Sequence, residues 1–273
     1  MNTIVLPQLT WHGTKELKLN LPDNWKVELY HMKGWERRAL NSTEMRSAIT
    51  NPIGSAPLRE LARGKNEVVI IFDDMTRVTR VGEIVPLVLE ELAEAGIREE
   101  NIRFVCALGC HGALNRIDFI KKLGESIVAR FPVYNHNPFD QGTYVGTTKT
   151  YGTKVSINAE VMKCDLKIAI GLVAPHPATG FGGGGKIILP GVASFETAKH
   201  NHMAGMRDAL SHQENPIIGM GIFDENPMRL DCEEASKLAG IDVLINCVVN
   251  MWGETVALFA GDPQATYAEA VGE

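Results

Sequence analysis

From residue 67 onward the chain alternates between continuous apolar runs and stretches of helical spacing. Val68-Val69-Ile70-Ile71-Phe72 has no polar interruption and is rich in β-branched residues, the pattern of a strand buried on both faces. Residues 81–95 then place Ile84, Leu87, Val88 and Leu92 on one helical face, with Gly96 as a C-cap. The cycle repeats with a strand over 102–108 and a helix that Asn115 opens as N-cap and that runs to Lys122. Further strands are expected at 133–134, 154–157 (an edge strand), 166–173, 243–249 and 256–259. Helices are expected over 195–205 and 229–239, and a short one after Asp262-Pro263, an N-cap followed by Pro at N1. A Gly/Pro-rich loop fills 174–191.

Residues 1–60 carry a weaker pattern. Short alternating stretches broken by turn residues predict edge strands, then helices over 42–50 and near 57–63. We divide the chain into an irregular N-terminal segment, 1–60, packed on an α/β domain, 61–273. Strands alternating with helices give an α/β fold with an open, mostly parallel sheet flanked by helices. Sheets of this kind take ligands at the carboxyl ends of their strands. Three strand ends carry polar clusters: Asp73-Asp74-Met75-Thr76-Arg77, Gly109-Cys110-His111 and Pro175-His176-Pro177. If those strands are neighbours, the clusters converge.

Composition narrows the classes. The chain has 273 residues, 45% of them hydrophobic and 22% charged, which excludes collagen-like, coiled-coil and wholly disordered readings. Lys plus Arg total 27 against 33 Asp plus Glu, a net charge of −6 with no basic stripe, so nucleic acid is not an expected partner. No apolar run approaches the roughly 18 residues that span a membrane. The N-terminus lacks the charged-then-apolar order of an export signal, so the expected location is the cytoplasm. The five cysteines are scattered and include no C-x-x-C, which argues against disulfides and structural zinc. Cys106-x-x-x-Cys110-His111 comes nearest to a metal motif, but Cys106 lies in an apolar run and reads as a buried thiol.

Gly180-Phe181-Gly182-Gly183-Gly184-Gly185-Lys186 satisfies G-x-x-x-x-G-K, yet Ile187 stands where a magnesium-binding Ser or Thr is needed. Pro190 also blocks the helix that a phosphate loop should open. The remaining reading is a lysine on a loop whose bare backbone lets a planar ligand approach closely. Of the eight histidines, His12, His31 and His212 lie in polar irregular sequence. His111 follows a strand and a glycine. His176 sits between two prolines that fix its backbone, which suits a positioned base or an ordinary turn equally. His200 and His202, two apart on a helix, point roughly 200° from each other and cannot share a metal. Phe195, Ala198 and His202 share a face, taken as the inward one, so His202 is the better ligand.

Asp74-Met75-Thr76-Arg77, Gly109-Cys110-His111, Pro175-His176-Pro177 with the loop to Lys186, Leu189-Pro190-Gly191 and His202 together resemble the nickel-pincer lactate racemases. The resemblance runs from about residue 50 to the C-terminus and is most specific from His176 to Gly191. It implies a nickel-pincer nucleotide, a pyridinium mononucleotide with two sulfur-bearing arms (thioamide and thiocarboxylate). Lys186 would hold it covalently, Asp74, Thr76, Gly183, Gly184 and Gly185 would contact it, and His202 would be the protein's nickel ligand. His111 and His176 would be two acid/base residues, and Arg77 would clamp the substrate carboxylate. Two imidazoles suit reversible deprotonation of each enantiomer of a 2-hydroxy acid, and a carboxylate clamp wants a forked donor.

Val78, Gly112-Ala113 and Gly182 depart from the family pattern and widen the substrate from lactate to other 2-hydroxy acids, polyols or sugar acids. The family's second, C-terminal domain is expected to be absent from this chain. A 2-hydroxy acid and the cofactor-assembly enzymes are the expected partners, with homo-oligomers through an uncovered apolar surface. Two other readings compete: a zinc-dependent hydrolase using His111, His176 and His202, which needs no covalent lysine, and a non-catalytic nucleotide-binding module.

Overall fold

The computed structural model describes residues 2–8, 11, 16–140 and 142–273, so His12 lies outside the described residues. The N-terminal part pairs β1 (Asn2–Leu6) with β2 (Leu17–Leu21) antiparallel and continues into helices α1 (Ser42–Thr50) and α2 (Leu58–Leu61). Asn41 caps α1 and Glu44 reaches back to the Asn41 backbone, a capping box that fixes where the helix begins.

Next come β3 (Val68–Asp73), α3 (Val81–Glu94), β4 (Ile102–Ala107), α4 (Arg116–Leu123), α5 (Glu125–Arg130) and β5 (Val133–Asn135). A small antiparallel pair, β6 (Thr143–Thr147) and β7 (Lys154–Ile157), precedes α6 (Ala159–Lys163) and β8 (Leu166–Leu172). The segment read as a Gly/Pro-rich loop contains a two-residue pair, β9 (Pro175–His176) with β10 (Gly180–Phe181), and a 3-10 turn over Gly184–Ile187. Then follow α7 (Phe195–Ser211), α8 (Pro227–Ala239), β11 (Val243–Val249), β12 (Thr255–Gly261) and α9 (Pro263–Gly272). Helix α7 runs six residues beyond the expected end, because nothing before His212 breaks it.

The main sheet has the order β12-β11-β8-β3-β4-β5, parallel throughout except for β12, which runs antiparallel to β11. This is the expected α/β architecture. β3 shows why it needs two helical layers. Val68, Ile70 and Phe72 enter one core with α3 residues such as Ile84 and Val88, while Val69 and Ile71 enter the other with Val161, Ala198 and Cys232. Strand order reverses between β3 and β8: β4 and β5 extend to one side, β8, β11 and β12 to the other. That reversal opens a crevice at the carboxyl ends of β3 and β8. Among the described residues no helix is long and apolar enough to cross a membrane.

Candidate active site

At those carboxyl ends lies a cleft of about 420 Å³, within the roughly 300–1,000 Å³ usual for small-molecule sites. Asp74 and Arg77 reach it from the end of β3, Cys110 and His111 from the end of β4, His176 and Lys186 from the segment after β8, and His202 from α7. The three polar clusters converge because β8, β3 and β4 are adjacent.

The β3 end is built on a buried ion pair. Lys122, fully buried, places Nζ 2.7 Å from Asp73 Oδ1 and donates to the carbonyls of Asp74 (3.1 Å) and Arg77 (2.8 Å). Asp73 Oδ2 accepts from Thr79 Oγ1 and from the Leu172 amide of the neighbouring strand, and burial pushes its carboxyl pKa up against the pull of Lys122. The turn carrying Asp74 and Arg77 is thereby fixed. Asp74 Oδ1 accepts from the Thr76 amide and hydroxyl, and its Oδ2 stands 2.5 Å from His111 Nδ1. A carboxylate there makes Nδ1 the protonated nitrogen and leaves His111 Nε2 with its lone pair, the state of a base. Thr76 does not line the cleft; it reaches the site through Asp74 and through a 3.0 Å bond from Arg77 Nη1 to its hydroxyl.

The glycine segment is packed rather than loose. Gly183 has φ +70°, and a Cβ there would stand 2.5 Å from Val173 Cγ2; at Gly185 it would stand 2.5 Å from the Cys232 carbonyl. Gly182 and Gly183 line the cleft floor. Gly184 and Gly185, also expected against a cofactor, lie just behind that floor. Their amides bond to Asn246 and Glu233, because the turn faces them towards α8 and α9. Arg229 of α8 holds this turn from beneath. It is fully buried, donates to the carbonyls of Phe181 and Gly183, pairs with Glu233 at 2.8 Å, and stacks 4.3 Å from the Tyr267 ring centre.

Lys186 Nζ, half-buried on this turn, lies 3.2 Å from His176 Nε2. Burial brings its pKa down to about 8, the nearby Arg229 and Arg77 charges adding to the effect. On α7, His202 Nδ1 donates to the Ala198 carbonyl at 2.8 Å, so Nε2 keeps its lone pair, the condition for a metal ligand. Burial in the cleft wall, more than the Lys186 charge, lowers its pKa and favours that neutral form. His200 turns away to Thr153 Oγ1 at 2.9 Å. Phe195, Ala198 and His202 do share a face, but it is the cleft face. The stripe packed inward is Ala198, Asn201, Ala204 and Gly205, since a helix lying across the sheet edge buries one side and shows the next to the cleft. Cys106 is in the core.

Lys122 and Arg229 escaped the sequence reading. Each sits at helical spacing among residues that turn inward: Phe119, Lys122 and Leu123 on α4; Met228, Arg229, Cys232 and Ala235 on α8. A long cation on an apolar face was the available signal. Among the described residues no three His, Cys, Asp or Glu side chains stand together as a metal-binding group.

Residues 12–214 match the family model for the lactate racemase N-terminal domain. A lactate racemase from Thermoanaerobacterium thermosaccharolyticum is 30% identical over 260 residues, covering 94% of this chain and 59% of that protein. One from Lactiplantibacillus plantarum is 31% identical over 240 residues, covering 87% and 54%. The structure of the lactate racemase apoprotein from T. thermosaccharolyticum superposes with a TM-score of 0.79 at 28% identity, covering 99% of this chain and 61% of that one. A Thermotoga maritima protein shares the fold, with a TM-score of 0.69 at 23% identity. The chain spans little more than half the length of the two racemases it matches. With its strand-end clusters gathered in one cleft and the family model matched over most of its length, this chain belongs to the lactate racemase N-terminal domain family.

Proposed function

We propose that this chain is the cofactor-holding part of an isomerase, a racemase or epimerase of 2-hydroxy acids, that works with a nickel-pincer nucleotide in the cytoplasm. The observation that carries the proposal is the convergence of Arg77, His111, His176, Lys186 and His202 on one cleft from separate stretches of chain. All five cysteines are free thiols, which supports a reducing compartment.

The residues fit the group. His202 offers one imidazole lone pair and, among the described residues, stands in no cluster of three or more His, Cys, Asp or Glu, which suits a metal whose other ligands come from an organic frame. The same observation weighs against the zinc hydrolase. Lys186 offers an amine of lowered pKa for covalent attachment, and Gly182 and Gly183 leave a floor without side chains. When bound, the nucleotide supplies a reversible hydride acceptor, the chemistry that side chains lack.

The chain's own residues do the rest. Arg77 Nη1 is tied to Thr76, and among the described residues its Nε and Nη2 have no hydrogen bond, so a forked donor remains for a carboxylate. His111, oriented by Asp74, takes the proton of the substrate hydroxyl at Nε2, and the neighbouring carboxylate stabilises the imidazolium that results. The buried Lys122–Asp73 pair keeps Asp74 and Arg77 in register with each other. The test is intact mass and metal content of the chain produced together with the cofactor-assembly enzymes. We expect an adduct on Lys186 with one nickel, both lost in Lys186→Ala. Zinc without an adduct would reject the proposal.

A further inference from the structure

We propose that Asp231 of α8 is a positioning residue for the metal ligand: through Asn201 it fixes the rotation of α7, and so the place of His202 relative to Lys186. This rests on the cofactor reading and names a residue that the reading needs. A nucleotide attached at Lys186 and ligated by His202 joins two separate parts of the chain, so the two must be held at a fixed spacing. Helix α8 connects them. Arg229 and Glu233, one turn apart, hold the glycine turn that carries Lys186. Asp231, two positions from each, lies about 200° around the helix and faces α7.

The Asp231 carboxylate is fully buried and held by four uncharged donors. Oδ1 accepts from the Thr148 hydroxyl at 2.5 Å and the Tyr151 amide at 3.3 Å. Oδ2 accepts from the Thr153 hydroxyl at 2.8 Å and from Asn201 Nδ2 at 2.9 Å. A buried charge is costly unless its hydrogen bonds are complete, and here each oxygen has two. Thr153 directs its one hydroxyl proton at Asp231, so it accepts from His200 Nδ1–H at 2.9 Å. Tyr151, from the same β6–β7 tip, donates to Asp208 at the far end of α7 at 2.5 Å. The hairpin tip and both helices therefore meet at Asp231.

Asn201 is the link to the metal ligand. It is fully buried and immediately precedes His202, whose side chain points about 100° further round α7. One turn on, Gly205 lets the helices touch: a Cβ there would stand 2.7 Å from Met228 Sδ. Packing at Gly205 sets how close the helices lie. The Asn201–Asp231 hydrogen bond is directional, and it sets how α7 is turned.

Asp231→Asn keeps the shape of the side chain but turns one acceptor into an N–H that meets two donors. In protein produced with the assembly enzymes, D231N should carry the Lys186 adduct at the parent level. Its nickel per adduct should fall about tenfold or more under chelator, as for outer partners of a metal ligand. Exchanging the pair, D231N with N201D, again sets a donor against an acceptor and should restore nickel. Glu234→Ala is the control, because Glu234 ties the same hairpin tip to α8 through the Thr150 hydroxyl, at 2.8 Å, without touching Asp231. E234A should lower the urea midpoint yet keep nickel. Nickel kept in D231N, no rescue in the exchanged pair, or nickel lost from E234A in step with its stability would each overturn the proposal. Should D231N not fold, Asn201→Leu removes the same bond from the α7 side and is read in the same way. Histidine ring NMR of the cofactor-free chain adds an independent reading. The His202 signals should shift in D231N and stay in place in E234A, and an unmoved His202 in D231N overturns the assignment. A parent chain that gains neither adduct nor nickel would instead reject the cofactor reading, while the NMR comparison still decides whether Asp231 orients His202.

Discussion

His200 and His202 stand two positions apart on α7 with unrelated surroundings, and the rotation of the helix is the whole reason. His202 lines the cleft with a free Nε2; His200 bonds to Thr153 on the other side. In protein produced with the assembly enzymes, His202→Ala should lose nickel while His200→Ala keeps it, measured as metal per chain. Equal loss from both would mean that the ligand lies elsewhere. Lys186 supports a second prediction. Its pKa is lowered from 10.5 to about 8, so its reactive amine fraction should grow tenfold per pH unit up to about 8 and then level. An exposed lysine goes on gaining until above 10. Pulse acetylation followed by peptide mass spectrometry would separate the two curves, and a Lys186 curve still rising at pH 10 would refute the shift. Which atom each histidine presents was beyond the reach of the sequence. The orientations of His111 and His202 depend on Asp74 and the Ala198 carbonyl, at contacts that only folding makes.

Among the elements, β3, β4, β8 and β11 were legible because both of their faces are buried, which leaves a run of apolar residues with no polar alternation. β6 was not. Thr143-Tyr144-Val145-Gly146-Thr147 has no fully buried residue and only Val145 packs against the core, so no alternating pattern marks it as a strand. The glycine turn was legible as a site but not as a packed object, since its support comes from Arg229, far along the chain. Replacing that residue exposes the dependence. Arg229→Met keeps the length of the side chain but leaves the buried carbonyls of Phe181 and Gly183 without their donor and strips Glu233 of its partner. Breaking one side of a buried, hydrogen-bonded pair costs about 3–5 kcal/mol. The urea midpoint should fall accordingly, and the Lys186 adduct should be lost even where the chain stays folded. A variant of unchanged midpoint would show that the turn holds its shape without the guanidinium.

For the molecule as a whole, the reversal of strand order between β3 and β8 decides where chemistry can happen, and this much followed from alternating strands and helices. The resulting cleft is open on one side. The His111 side chain is 53% exposed, and Met203 on the adjoining wall is 56% exposed. A substrate carboxylate on Arg77 would therefore meet the guanidinium in water. Two charges about 4 Å apart attract by roughly 1 kcal/mol there, against about 4 kcal/mol near a screened protein surface. The 273 residues by themselves should accordingly bind lactate weakly, with a dissociation constant above about 1 mM, and weaker again as salt rises, because exposed charges are screened. Titration of the chain with lactate, followed by NMR at two ionic strengths, measures both quantities. Arg77→Lys should weaken binding further, since an ammonium cannot make the paired contacts of the fork. Micromolar, salt-independent binding would mean that the cleft closes over its substrate without help from any other part of the protein.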